Sequence, residues 1–293
     1  ALQALVAGNT VVLKPSEVTP FSGKLAVDIF DSAGLPEGVF QVALGDGATG
    51  AALVDSDIDK VHFTGSVATG RRIAESCARR LVPYTLELGG NDAMIVCSDA
   101  DLDSAAGGAV TGSMFNTGQY CCGTERVYVM ADVADEFTDR VLDRVKALRQ
   151  GSSGSFDVGP MCFEPQLDKV ESQVADAVAS GATVLAGGAR NESLKGLFYQ
   201  PTVLTDVDHS MAVMTEETFG PVLPIVSVAS IDEAIELAND TSYGLAGSVW
   251  TSDEEKGVRI AGRMRTGSVS INDMAVTYGI PEAPFGGRGN SGV

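Results

Sequence analysis

Histidine occurs only twice in 293 residues, as His62 and His209. Neither has a spaced ligand partner, so no metal centre is expected. The five cysteines, Cys77, Cys97, Cys121, Cys122 and Cys162, show neither C-x-x-C spacing nor disulfide density. An odd count in a chain of this length fits a reducing compartment, and a cytoplasmic location is expected. Cationic side chains are also few: 20 Lys and Arg against 39 Asp and Glu leave a net charge of −19. That balance argues against non-specific nucleic-acid binding, which needs clustered Lys and Arg. No stretch approaches the roughly 18 uncharged apolar residues of a membrane span, and no membrane partner is expected. The longest apolar runs, 93–97 and 222–228, are strand-sized. Repeats, low-complexity tracts and long linkers are lacking. No basic segment followed by an apolar core opens the sequence, so no secretory signal is expected there.

What is present is ordinary globular composition, 44% hydrophobic and 20% charged, enough for a packed core. Strands are expected at 10–14, 39–44 and 60–63, each followed by a helical pattern, at 22–33, about 50–54 and about 68–80. Gly34 and Pro36 supply a stop for the first of these helices. Strands alternating with helices through short loops mean a parallel α/β sheet with right-handed crossovers. The alternation continues with a strand at 93–97, a helix at 100–116 and a strand at 126–130. A helix at 133–148 then carries Phe137, Val141, Val145 and Leu148 on one core-facing stripe. Further helices are expected at 166–179, 231–238 and 253–264, and strands at 183–185, 222–228, 247–250 and 268–271. Two domains are expected, 1–88 and 89–293, meeting at the Gly89-Gly90 hinge. The opening Ala1–Leu5 reads as the middle of a helix, so a piece of a longer chain is expected.

Two segments carry chemistry. Leu-Glu-Leu-Gly-Gly at 86–90 and Gly-Gln-Tyr-Cys-Cys at 118–122 place Glu87 and Cys121 at a spacing of 121 − 87 = 34 residues. A cysteine can attack a carbonyl carbon and hold the acyl group as a thioester, and a carboxylate can activate the water that releases it. Alone, each residue has a plainer reading, a buried structural thiol and a strand-end carboxylate. Small and polar neighbours (Asn116, Thr117, Gly118, Gln119) permit close approach to Cys121. Leu86 and Leu88 suggest burial of Glu87, which raises a carboxyl pKa and suits a general base. Cys122 is expected to point elsewhere, as a structural residue. Tyr120, Met114 and Phe115 are expected to line the approach to the thiol.

Other segments are weaker singly. Thr64-Gly65-Ser66-Val67-Ala68-Thr69-Gly70 follows a strand and opens a helix, where backbone N–H groups can meet phosphate, although it departs from the G-x-G-x-x-G fingerprint. An ordinary strand-to-helix turn reads equally. Lys14 and Glu17 follow the end of the first strand, the edge at which α/β sheets bind ligands, and a surface turn is the alternative. Glu216-Glu217-Thr218-Phe219-Gly220-Pro221 joins acid, aromatic ring and turn ahead of a strand; Pro284-Phe285-Gly286-Gly287 is a loop with backbone freedom.

In order, these segments resemble the aldehyde dehydrogenase superfamily, from Ala7-Gly8-Asn9-Thr10 and Lys14-Pro15-Ser16-Glu17 through Phe63–Ser66, Leu86–Gly90, Gly118–Cys121 and Glu217–Pro221 to Pro284–Gly287 and Ser291-Gly292. The likeness covers essentially the whole chain, and the Glu–Cys spacing is that of the family. It implies an α/β fold: an incomplete parallel-sheet, Rossmann-like cofactor domain followed by a thiol-bearing α/β catalytic domain. It implies Cys121 as nucleophile, Glu87 as base, and oxidation of an aldehyde to an acid with NAD. Lys14 and Glu17 would contact the adenosine ribose, with Gly65, Ser66 and Gly70 near the pyrophosphate. Glu217 would bind the nicotinamide ribose, Phe219 would pack beside the nicotinamide, and the Leu88 backbone would orient the carboxamide. Glu17 favours NAD over NADP, because a carboxylate there repels a 2′-phosphate.

The partners implied are a small-molecule aldehyde and further copies of the full-length chain, as a homodimer or homotetramer. The family's oxyanion-hole asparagine would lie upstream of residue 1 and its last oligomerisation strand beyond residue 293, so weak or no activity is expected of these residues alone. Two rivals stand beside this reading: a CoA-acylating enzyme, which generally lacks a glutamate at position 87, and a non-catalytic descendant of the fold.

Overall fold

The computed structural model describes residues 1–274, 279–280 and 282–293. The chain divides into two compact units, residues 1–62 with 68–84, and residues 63–67 with 85–293.

The first unit holds α1 (Leu2–Val6), β1 (Val11–Leu13), α2 (Pro20–Ser32), β2 (Phe40–Val42), α3 (Gly47–Asp55) and nearly all of α4 (Val67–Arg80). β1 and β2 pair in parallel, Val11 opposite Phe40. α2 starts with Pro20 at its first position, where a missing N–H costs nothing. α3 is capped by the Asp46 carboxylate, which accepts from the Ala48 amide. Leu25 and Ile29, whose spacing predicts α2, are exposed; its buried residue is Val27. A two-stranded parallel pair has too little face to cover a whole helical stripe. β3 (Val61–Thr64) and β4 (Tyr84–Glu87) form a separate two-stranded sheet.

The second unit is built on a seven-stranded sheet. It contains β5 (Asp92–Val96), β6 (Thr124–Met130), β7 (Thr183–Ala186), β8 (Thr202–Thr205), β9 (Val222–Val228), β10 (Gly247–Trp250) and β11 (Ser270–Ile271), in the spatial order β11-β10-β5-β6-β9-β8-β7. All neighbours are parallel except the edge pair β7–β8. Strands of such a sheet are buried on both faces and read as continuous apolar runs, which is why 93–97 and 222–228 stand out in the sequence.

Helices α5 (Leu102–Met114) and α6 (Ala134–Ala147) cover one face, where Met94, Val96, Phe137, Val141 and Val145 share a core. Helices α7 (Glu164–Ala179), α8 (Ala212–Thr215), α9 (Ile231–Asn239) and α10 (Glu254–Ala261) complete the unit. Residues of α7, α8, α9 and α10 pack on the other face, around Ile95, Tyr128 and Leu204. The stripe expected on α6 is the buried one. The helix expected at 100–116 stops at Met114, because Asn116 and Thr117 have φ of 50° and 61° in a following 3-10 turn. β8 has no counterpart among the sequence expectations. Among the described residues no helix is long and apolar enough to cross a membrane.

Candidate functional site

Glu87 ends β4, and its neighbours Leu86 and Leu88 are buried. The strand is held on one side by Gly65, whose amide donates to the Glu87 carbonyl at 3.0 Å. On the other side the chain's last residues run antiparallel to it: Leu86 N donates to Val293 O at 3.0 Å and Leu88 N to Ser291 O at 2.9 Å. Main-chain bonds therefore fix Glu87 on both flanks. Its Oε2 is buried with no hydrogen-bond partner among the described residues, and burial pushes the carboxyl above its ordinary range. Gly286 approaches it closely: a Cβ placed there would stand 3.6 Å from Glu87 Oε1.

The next residues carry two close approaches. A side chain on Gly89 would overlap the Glu217 carboxylate, and one on Gly90 would overlap the Cys121 carbonyl oxygen. The Gly90 amide also donates to Glu217 Oε1 at 3.1 Å. At Gly90 the obstacle is backbone and only glycine fits, whereas at Gly89 a side chain would have to displace the Glu217 carboxylate. Glu87, Cys121 and Glu217 thus gather about one four-residue stretch, 87–90.

Cys121 is presented by a left-handed turn. Asn116, Thr117 and Gly118 all have positive φ, unusual for a β-branched threonine. The cost is offset locally: Thr117 Oγ1 donates to Gly159 O at 3.1 Å, and Asn116 and Gln119 exchange side-chain bonds with each other's carbonyls. Gly118 packs so tightly on Gly220 that a Cβ would overlap the Gly220 carbonyl. A hydrogen bond with Cys122, burial and the nearby Asp92 all push the Cys121 thiol well above its ordinary range. The expectation that Cys122 points elsewhere is corrected, since its thiol meets that of Cys121. Met114 is also corrected: it is core, 2% exposed, while Phe115 is exposed and stacks edge-on against Tyr120 at 5.5 Å. The helix end at Met114 separates the two.

Glu217 and Phe219 lie on the turn before β9. Glu217 is largely buried, which raises its carboxyl pKa. Phe219 has φ of 53°, a strained setting for a bulky residue worth about 1–3 kcal/mol.

Two acidic residues beneath this site escape the sequence reading. Glu125 at the head of β6 is buried, and accepts from Thr218 N at 2.9 Å, Phe219 N at 2.9 Å and Asn91 Nδ2 at 3.2 Å. Burial first, and the charge of Glu217 second, push its carboxyl up to about 7. Asp92 is fully buried; its Oδ1 accepts from Ala246 N at 3.0 Å, and burial pushes its carboxyl well above the usual range. The signal for the first was the charged pair Glu125-Arg126 heading an apolar strand run.

Lys14, Glu17 and Gly70 belong to the first unit. Lys14 Nζ donates to Pro15 O at 2.7 Å and pairs with Glu17 Oε2 at 3.4 Å. Glu17 is exposed, and a backbone hydrogen bond and then Lys14 hold its carboxyl below the ordinary value. Gly70 is buried in the first turn of α4, and Gly65 and Ser66 immediately precede that helix. Among the described residues no group of three or more His, Cys, Asp or Glu could hold a metal ion.

The aldehyde dehydrogenase family model matches residues 1–293. A Mycobacterium ulcerans protein that carries the name of a proposed NADP(+)-dependent succinate-semialdehyde dehydrogenase is 44% identical over 296 residues, covering 100% of this chain and 57% of its own. A Mycobacterium tuberculosis aldehyde dehydrogenase solved with NAD+ superposes with a TM-score of 0.94 at 43% identity, over 99% of this chain and 60% of its own. An Escherichia coli NADP-dependent enzyme gives a TM-score of 0.93 at 39% identity, again over 99% and 60%. The chain therefore spans somewhat over half the length of these relatives.

Proposed function

The chain belongs to the aldehyde dehydrogenase family, and from that premise we propose that its complete gene product oxidises an aldehyde to a carboxylic acid through a thioester on Cys121. The observation that supports this most is the 87–90 stretch, which carries the unpartnered carboxylate oxygen of Glu87 at one end and touches the Cys121 backbone at the other.

Residues of the second unit fit the nicotinamide half of a dinucleotide. Glu217 has one oxygen fixed by the Gly90 amide and can accept ribose hydroxyls with the other. The Leu88 amide is taken up by Ser291, so its carbonyl is the group able to meet a carboxamide. Phe219 flanks the ring. Lys14 and Glu17 hold the adenosine ribose, and Gly65, Ser66 and Gly70 lie along the pyrophosphate, although the Gly65 amide already serves the Glu87 carbonyl. When bound, the nicotinamide accepts the hydride whose loss turns the Cys121 thiohemiacetal into a thioester.

Cys121 enters the cycle as a thiol, held so by Cys122, burial and Asp92. Attack on the aldehyde carbon forms the S–C bond while the thiol proton passes to a base, and Glu87 is the carboxylate suited to take it. The Cys121 amide donates to the developing oxyanion. Glu87, once that first proton has passed to solvent, removes a proton from water, whose oxygen attacks the thioester carbon; the S–C bond breaks, the proton held by Glu87 returns to the Cys121 sulfur, and the acid and the thiol are released. Glu17, ionised at neutral pH, favours NAD over NADP through repulsion of a 2′-phosphate. The full-length protein works in the cytoplasm as a homodimer or homotetramer.

The test is reduced-cofactor formation by the complete gene product on an aldehyde panel, with NAD and NADP and without CoA. Cys121→Ala run alongside should abolish turnover. Full activity surviving that substitution overturns the mechanism, a strict requirement for CoA favours the acylating rival, and faster turnover with NADP overturns the cofactor preference.

A further inference from the structure

The turn 217–219 is held from both sides by side chains that touch none of the groups proposed to react. On the amide side, the buried Glu125 carboxylate takes the N–H groups of Thr218 and Phe219, both at 2.9 Å. On the carbonyl side, α7 supplies the donors: Lys169 Nζ reaches Glu217 O at 2.6 Å, and Gln166 Nε2 reaches Thr218 O at 2.8 Å and Phe219 O at 3.3 Å. Every carbonyl from 217 to 219 and the amides of 218 and 219 are therefore occupied by side chains rather than by sheet or helix partners. Successive amides converging on one anion form a nest, with Phe219 in the left-handed region at φ 53°. Asn91 Nδ2 steadies the same carboxylate at 3.2 Å, and Gly220 closes the turn against Val170 and Gly118.

We propose that Glu125, with Gln166 and Lys169 opposite, is a positioning device that presents Glu217 and Phe219 to the nicotinamide half of the cofactor. The inference rests on the cofactor roles proposed for those two residues. A turn of this composition has no hydrogen-bond ladder of its own, and a strained φ persists only where the surroundings over-determine it. Glu125 does so by accepting both amides on one carboxyl group, and its ionised form binds them more strongly than its neutral one. Near it stand Glu217 on the turn, Asp92 at the start of β5, Tyr243, and its own neighbour Arg126, while Lys169 on α7 faces Glu217. Arg126 is turned away, donating to Asn91 O at 2.6 Å and Ala238 O at 3.1 Å, so it does not compete with the amides for Glu125.

The test uses the complete gene product with NAD as probe. Cofactor Kd and KM are measured for wild type, Glu125→Gln and Gln166→Ala, beside the rate at which iodoacetamide alkylates Cys121 without cofactor. The expected result is a tenfold or greater rise in cofactor Kd for Glu125→Gln and a several-fold rise for Gln166→Ala. Alkylation should stay within about twofold, and Glu125→Asp should recover part of the affinity. An unchanged Kd in folded Glu125→Gln overturns the proposal. So does an alkylation rate that falls in parallel, which would mean general collapse of the site. If Glu125→Gln does not fold, Gln166→Ala decides, because Gln166 lies half-exposed on a helix surface; unchanged affinity there also overturns the clamp. Failure of the wild type to bind either dinucleotide would instead overturn the cofactor reading.

Discussion

Gly90 and Cys121 meet through backbone alone: any Cβ at residue 90 would occupy the space of the Cys121 carbonyl oxygen. The contact sets how far the thiol-bearing turn lies from the strand that carries Glu87. Gly90→Ala should therefore displace Cys121 and lower kcat by at least about a hundredfold, the loss expected of misplacement by roughly 1 Å. Thermal unfolding and kcat measured on the same preparation check this; a variant that keeps wild-type kcat would show the contact to be dispensable.

The pH dependence of turnover should carry the signature of Glu87. A base works ionised, and burial raises this carboxyl, so activity should fall on acidification at a pH above the ordinary glutamate value of about 4.3. Glu87→Gln should reduce steady-state acid formation by roughly 10²–10⁴-fold and let acyl-enzyme accumulate. Mass spectrometry of the quenched protein detects that adduct, and its absence in a slow variant would argue against a role in deacylation.

Stability should respond to Glu125 in the opposite sense from its function. Its folded value of about 7 lies above the unfolded one near 4.5. Its contribution to stability is fully present below the unfolded value and is lost as pH rises through 7. The difference is on the order of 3 kcal/mol at about 1.4 kcal/mol per unit. Urea unfolding from pH 5 to pH 8 should show wild type losing stability relative to Glu125→Gln over that interval. Parallel profiles for the two proteins would contradict it.

Asp99 supplies a contrast. It accepts from Thr251 Oγ1 and Ser252 Oγ, both at 2.8 Å, and from Lys256 Nζ at 2.7 Å. Burial works against its charge, but these donors outweigh it and hold the carboxyl well below the usual range. A depressed value means stability present above the unfolded pKa of about 3.9 and lost as pH falls below it. With the side chain about one-third open to solvent, Asp99→Asn should cost roughly 1–2 kcal/mol at pH 7. The deficit should shrink below pH 3, as urea unfolding at the two pH values would reveal.

Much of this was legible in sequence because it rests on local pattern. Continuous apolar runs gave the buried strands, and the Phe137–Val145 spacing gave the core face of α6. The glycines at 89 and 90 were visible, but not the reason for them, since Glu217 and Cys121 are distant in sequence and meet them only in the fold. Met114 and Phe115 look alike to any apolar pattern, and a change in backbone conformation between them sends one into the core and the other outward. Asp92 was invisible for a related reason, and Glu125 showed only as one of a charged pair heading an apolar run. An acid reads as surface until its backbone donors, here Thr218, Phe219 and Ala246, are known.

The head of β6 places Glu125 and Arg126 in succession, one serving the amides of 218–219 and the other the last carbonyls of α9. Successive residues of a strand face opposite ways. A slip of one residue in β6 would set either a guanidinium among amide hydrogens or a carboxylate against carbonyl oxygens, depending on its direction, and leave an uncharged neighbour in the other place. In a sheet whose central strands are apolar on both faces, hydrophobicity alone discriminates poorly between registers. The order of one acid and one base here acts as a polarity key, admitting a single alignment of the strand. Reversing the pair, without changing composition, should be among the least tolerated exchanges in the chain.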